Sequence, residues 1–177
     1  MTLPPPLRKA VLTTHVITSV GWLGALAAYL ALDVAAATSR DADVARGAYV
    51  AMEVVVLWVI VPLALASLRV GVINALGTTW GLFRHWWVVA KLLLTLVATL
   101  VLLVQVPGIE SMAAAARSVA APGELPGTLP HSIGGLVVLV VVTMLSTYKP
   151  RGLTRYGWRR QHAERGRQRG EPTAVRP

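Results

Sequence analysis

Apolar residues in this chain gather into long runs instead of recurring at the intervals of a soluble core. Four stretches, about 11–32, 48–68 continuing to 76, 86–106 and 131–148, approach or exceed the ~20 apolar residues a helix needs to cross a bilayer. The polar segment TSRDADVARG between the first two is short, so those helices are expected to be antiparallel neighbours. Asp33 is expected to mark the outer end of the first helix. Pro62 removes a backbone donor inside the second and predicts a kink. The segment GTTWGLFRH turns the chain into the third helix, which is expected to end near Pro107-Gly108. The loop 107–130 is the longest, with SMAAAARSVAA as a short interfacial helix, and Pro130 opens the fourth helix. The pattern therefore predicts an all-α, integral membrane, antiparallel four-helix bundle over 11–148. A flexible lead, 1–10, precedes it, and a basic tail, 149–177, follows, largely disordered at its end.

Composition agrees with that reading. Of 177 residues, 55% are hydrophobic and 14% charged, whereas soluble domains carry about 25% charge. The net charge of +9 is concentrated at one side of the predicted bundle. Lys149, Arg151, Arg155, Arg159, Arg160 and further arginines follow the last apolar run, Arg8 and Lys9 precede the first, and Arg84 lies between the second and third. On the other side Arg40, Arg46 and Arg117 are diluted by Asp41, Asp43, Glu110 and Glu124. Cations mark the cytoplasmic face, so both termini are expected to be cytoplasmic, in a multi-pass protein of the inner (plasma) membrane. The tail then meets anionic lipid headgroups, which accounts for its charge without nucleic acid. Trp86, Trp87, Tyr148, Tyr156 and Trp158 fall where an interfacial aromatic belt belongs. The alternative of a cleaved signal peptide, suggested by Arg8-Lys9 and Ala35-Ala36-Ala37, requires a shorter apolar region of about 7–15 residues. The absence of cysteine excludes disulfides, thiolate metal sites and covalent haem attachment.

Against this background the polar residues inside the spans stand out. His15 lies six positions beyond Lys9, and Lys91 six beyond His85, each roughly 9 Å along a helix axis from the cytoplasmic side. They are expected to share a level, with Glu53 and His131 forming a second polar layer in the other leaflet. His15 and His131 are then too far apart to ligate one iron. At helical spacing Arg84, Lys91, Thr95, Ala98 and Gln105 form one stripe, and His15, Ser19, Trp22, Leu26 and Tyr29 another. Glu53, Ile60, Ser67 and Asn74 form a third. Ionisable groups on such stripes usually face a bundle interior and often mark function. Each also has a structural explanation. Lys91 is near enough to the interface to snorkel, and His15 can simply hydrogen-bond to a neighbouring helix. Glu53 can be a carboxylate reached by water, and His131 an interfacial or capping residue.

The segments HVITSVGWLGALAAYLALD, LGTTWGLFRHWWVVAKLLLTLVATLVLL and LSTYKPRGLTRYGWRR resemble a family of four-helix membrane proteins of actinobacteria. More distantly, the layout is similar to HemJ-type protoporphyrinogen oxidases and to the membrane part of CopD-type copper-resistance proteins. In HemJ-type proteins a histidine in the first membrane helix and a lysine before a KLLL-like run are functional, and haem b is bound. The matching positions are His15 and Lys91. The resemblance implies a haem b-binding redox protein in which His15 ligates the iron and Trp22 belongs to the site. Lys91 and Arg84 would neutralise the propionates, or Lys91 would act catalytically as a second ligand or proton donor. A quinone or a porphyrin is the implied partner, in a chain that can also form a homo-oligomer. The second helix and the WGLFRHWW loop depart from the HemJ pattern. Two other functions are compatible with the residues. One is a small proton-coupled transporter using Glu53, with Pro62 as hinge. The other is a non-catalytic scaffold that docks through the tail or the 107–130 loop.

Overall fold

The computed structural model describes residues 4–76, 85–118, 125–148, 152, 154, 155 and 157–159. Four long helices carry the fold: α1 (Pro5–Thr38), α2 (Ala42–Leu76), α3 (Trp86–Ser118) and α4 (Leu129–Tyr148). Each is long and apolar enough to cross a membrane. Consecutive helices are antiparallel neighbours, and α4 packs back on α1. The helices therefore form a ring in which α1 and α3 stand diagonally. Both ends of the bundle's chain lie at one end, called here the near end; the 39–41 turn and the 125–128 segment lie at the far end.

The helix starts follow local chemistry. Pro5 and Pro6 occupy the first turn of α1, where a missing N–H costs nothing. The Asp41 carboxylate caps α2 by accepting from the backbone N–H groups of Asp43 at 2.8 Å and Val44 at 3.4 Å. Inside α2, Val56–Ile60 form a π-helical turn immediately before Pro62. Proline lacks an N–H and its ring presses on the carbonyl four residues earlier. Widening the turn relieves that contact and lets the Val61 N–H reach the Val56 carbonyl. The expected kink is thus absorbed as an extra residue per turn. It leaves Trp58 76% exposed on the perimeter while Val56 and Ile60 stay buried.

Three helix boundaries differ from expectation, for related reasons. α1 runs past Leu32 to Thr38, so Asp33 does not mark its end but lies within it, fully buried. α2 begins at Ala42 and not near 48. α3 passes through Pro107 to Ser118, so residues 111–118 of the segment expected as a separate interfacial helix are its last turns, and the rest of that segment lies outside the described residues. The overrun is explained by packing. Ala36, Ala45, Ala48, Ala113 and Ala116 are all buried at the far end, with Tyr49, Met52 and Ile109 between them. Alanine faces allow close helix approach, and that burial holds α3 together on the inner side while Pro107 sits on the exposed side. At 34 and 33 residues, α1 and α3 are roughly 50 Å long, well beyond the ~30 Å of a hydrocarbon core.

In the membrane half the polar stripes turn inward as expected. Trp22, Leu26 and Tyr29 of α1 and Ile60 and Ser67 of α2 are buried. Val97, Leu100, Val101 and Val104 of α3 and Val137, Val140 and Val141 of α4 face outward. After α4 the chain returns to the start of α3, where the Trp86 N–H donates to the Gly152 carbonyl. Trp86, Tyr148 and Trp158 are exposed at this end, whereas Trp87 is buried. Tyr156 and residues 160–177 lie outside the described residues.

Candidate functional site

The near-end polar layer is built by α1 and α2. The His15 imidazole lies on Gly71, where a Cβ would stand 3.0 Å from Cε1, 3.5 Å from Nδ1 and 3.7 Å from Nε2. Its Nδ1 is buried and makes no hydrogen bond. One turn deeper the Ser19 and Ser67 hydroxyls meet at 2.8 Å and tie the same two helices. Interhelical hydrogen bonds of this kind contribute about 0.6 kcal/mol. Ser67→Ala is therefore expected to lower unfolding stability by about that amount, with no further loss when Ser19→Ala is added; a cycle of the two variants in detergent measures it.

Lys91 is held differently. Its ammonium donates to the Ser146 hydroxyl at 3.4 Å and lies 5.9 Å from the Trp87 ring centroid. Both partners lie toward the near end, so the long stem carries the charge toward the interface, as snorkelling requires. His15 thus faces α2, Lys91 faces α4, and no hydrogen bond joins them. Arg84, the third member of the expected site, lies outside the described residues. Among the described residues no group of three metal-ligating side chains occurs.

The far-end residues divide. Glu53 forms an ion pair with Arg117 that joins α2 to α3. His131 is exposed in the first turn of α4, where its N–H donates to the Thr128 carbonyl. The centre of this end is Asp33, which sequence reasoning took for a terminus. Its carboxylate accepts from the Thr128 hydroxyl at 2.7 Å, the Ser132 hydroxyl at 2.8 Å and the Thr128 N–H at 3.2 Å. Since the Thr128 proton is given to Asp33, the Tyr29 hydroxyl donates to Thr128 in their 2.9 Å contact. Tyr49 adds a bond to the Leu125 carbonyl at 3.2 Å. A sequence signal existed: Asp33 continues the Trp22, Leu26, Tyr29 stripe by another turn.

Beside this network, between α3 and α4 and floored by α1 and α2, is a cavity of about 290 Å³. Trp22, Tyr29 and Ile60 line its floor, and Gln105, Thr128 and His131 its far end. Neither His15 nor Lys91 reaches it. Its near end, at Leu94, begins one turn beyond Lys91. Trp22, expected beside His15, therefore belongs to the cavity as well as to the stripe. Comparison with protein-family models, curated proteins and solved structures finds no match to this chain, so its function is argued from its own residues.

Proposed function

We propose that this multi-pass membrane protein binds haem b in its near-end layer and acts as a redox protein, with His15 as the axial ligand. One observation carries the proposal: among the described residues the buried Nδ1 of His15 has no hydrogen-bond partner. Stranding a polar atom in an apolar bundle costs about 1–3 kcal/mol, and a bound group that engages the imidazole removes that cost. The glycine opposite the ring supports the same reading, because it keeps room for an imidazole that a larger residue would displace.

In this reading His15 would hold the iron through its ring, and the Ser19–Ser67 bond keeps α1 in register against α2. Lys91 would supply positive charge for a propionate and would hold or donate a proton. Bound haem would supply one-electron transfer, its potential set by the axial ligand and the polarity around it. For the proton-coupled transporter no comparable observation stands, since Glu53 is engaged by Arg117.

Absorption spectroscopy tests the proposal. Full-length protein purified from haem-replete cells is expected to show a Soret band that His15→Ala abolishes and Lys91→Ala shifts or weakens. A colourless wild-type protein, or an unchanged spectrum in His15→Ala, overturns it.

A further inference from the structure

We infer that the cavity between α3 and α4 is a binding site for a neutral-headed apolar molecule that enters from the bilayer. This site is independent of the His15 layer, since neither His15 nor Lys91 lines it. Its rim is on the lipid-facing perimeter: Val97 and Val101 of α3 are 56% and 46% exposed, and His131 and Gly134 of α4 are also exposed. The floor, by contrast, consists of buried Trp22, Tyr29 and Ile60. A molecule dissolved among acyl chains therefore meets the opening directly.

The shape follows from small residues on the two facing helices. Gly134 has open space where a Cβ would stand, and a Cβ on Gly135 would meet Leu26 at 3.2 Å. Ala98 completes the gap from the α3 side. At about 290 Å³ the cavity is at the lower end of the ~300–1,000 Å³ typical of small-molecule sites. It holds one ring or one acyl segment, so the remainder of any larger lipid stays among the acyl chains outside the opening.

The lining sets the head group. Most of the wall is apolar, and its polar groups gather at the far end: Gln105, His131 and the hydroxyls of Tyr29, Thr128 and Ser132. Among the described residues, no lysine, arginine or carboxylate lines the cavity. Phosphate recognition ordinarily uses such cations. Asp33 accepts from the Thr128 and Ser132 hydroxyls, which places a carboxylate directly behind the head position. That charge disfavours an anionic head. Because Tyr29 donates inward to Thr128, its free lone pairs accept from a ligand hydroxyl, while the Gln105 amide can donate to a carbonyl. The fitting chemistry is an uncharged head with carbonyl or hydroxyl oxygen on an apolar tail, such as a quinone ring or a glyceride.

The test uses the full chain in nanodiscs of zwitterionic lipid. A decyl-substituted benzoquinone, a diacylglycerol and an anionic phosphatidylglycerol are titrated separately, with melting temperature and tryptophan fluorescence as readouts. Saturable stabilisation by the quinone, the diacylglycerol or both is expected, and which of them acts identifies the source. Gly134→Phe adds a ring at the rim from a position whose Cβ has open space, and is expected to weaken binding at least about tenfold; Val101→Trp, on the opposite rim, serves if that variant does not fold. Gln105→Leu is expected to weaken it by up to about tenfold, the effect of one lost hydrogen bond. Trp22→Phe should remove the quenching produced by the quinone. Preference for phosphatidylglycerol, no saturable binding by either neutral probe, or binding unchanged by both filling variants overturns the inference.

Discussion

Replacing Asp33 with alanine is expected to lower unfolding stability by about 3 kcal/mol. The magnitude follows from counting what is stranded. Three donors converge on the carboxylate, and a hydrogen bond to a charged group is worth about 1.5–3 kcal/mol. The sum is not lost in full. Ser132 keeps the Leu129 carbonyl as an acceptor at 3.1 Å, and Thr128 keeps Tyr29. The Thr128 N–H keeps no other hydrogen bond, so its desolvation is the irreducible part. Asp33→Asn retains one carbonyl acceptor and is expected to lose about half as much. Chemical unfolding in detergent, followed by circular dichroism, measures both; an alanine variant as stable as the wild type removes Asp33 from this role. Because the network holds the start of α4, the same variant should also loosen the far end of the cavity. Ligand binding there is expected to weaken together with stability.

The spans and their inward faces were legible because the bilayer imposes a simple rule on the sequence. A helix in hydrocarbon has to be apolar over its whole crossing, so Leu92–Leu103 and Leu136–Val142 announce themselves. A bundle gathers its polar atoms inside, so Ser19, Ser67 and Tyr29 could be assigned to the interior from spacing alone. The boundaries were not legible for the opposite reason. Toward the far end, α1 and α3 are packed through buried alanines, Ala36 on the first and Ala113 and Ala116 on the second, with Ala45 of α2 buried beside them. Alanine is equally at home in a loop, a lone helix or a packed interface, so its pattern carries little information. Asp33 was misread on the same ground: a charge at the end of an apolar run resembles a boundary until Thr128 and Ser132 are seen to reach it from another helix. Partners nearly a hundred positions apart leave no local trace. Gly71 escaped notice too, because a glycine in a membrane helix ordinarily signals helix approach. Here it meets a side chain, the one imidazole on which the functional proposal depends.

That contact gives the second large effect, and its sign depends on the partner. In an ordinary helix interior Gly→Ala is stabilising by about 0.8–1.0 kcal/mol, since alanine restricts the unfolded backbone. At Gly71 the new Cβ would stand 3.0 Å from His15 Cε1, closer than most packed carbons come, so the ring must give way. Overpacking of this kind costs about 1–3 kcal/mol. Gly71→Ala is therefore expected to be destabilising or neutral with His15 present. In a His15→Ala background the obstruction is gone, and the same substitution should become stabilising by about 1 kcal/mol. Such a sign reversal corresponds to a coupling of about 1–3 kcal/mol, within the range found for residues in direct contact. A double-mutant cycle by chemical unfolding in detergent reads it without any cofactor, so the geometry is tested apart from the haem proposal. Equal effects of Gly71→Ala in both backgrounds would mean that ring and glycine do not touch. If the coupling is found, the spectrum adds the functional half: a ring pushed off its seat by one methyl group should bind haem less well although His15 itself is intact. A Soret band lost or shifted in Gly71→Ala, in protein that still unfolds cooperatively, would tie the seat to the ligand. An unshifted band with the coupling present would separate them, leaving Gly71 as a packing partner of a histidine whose nitrogen serves another purpose.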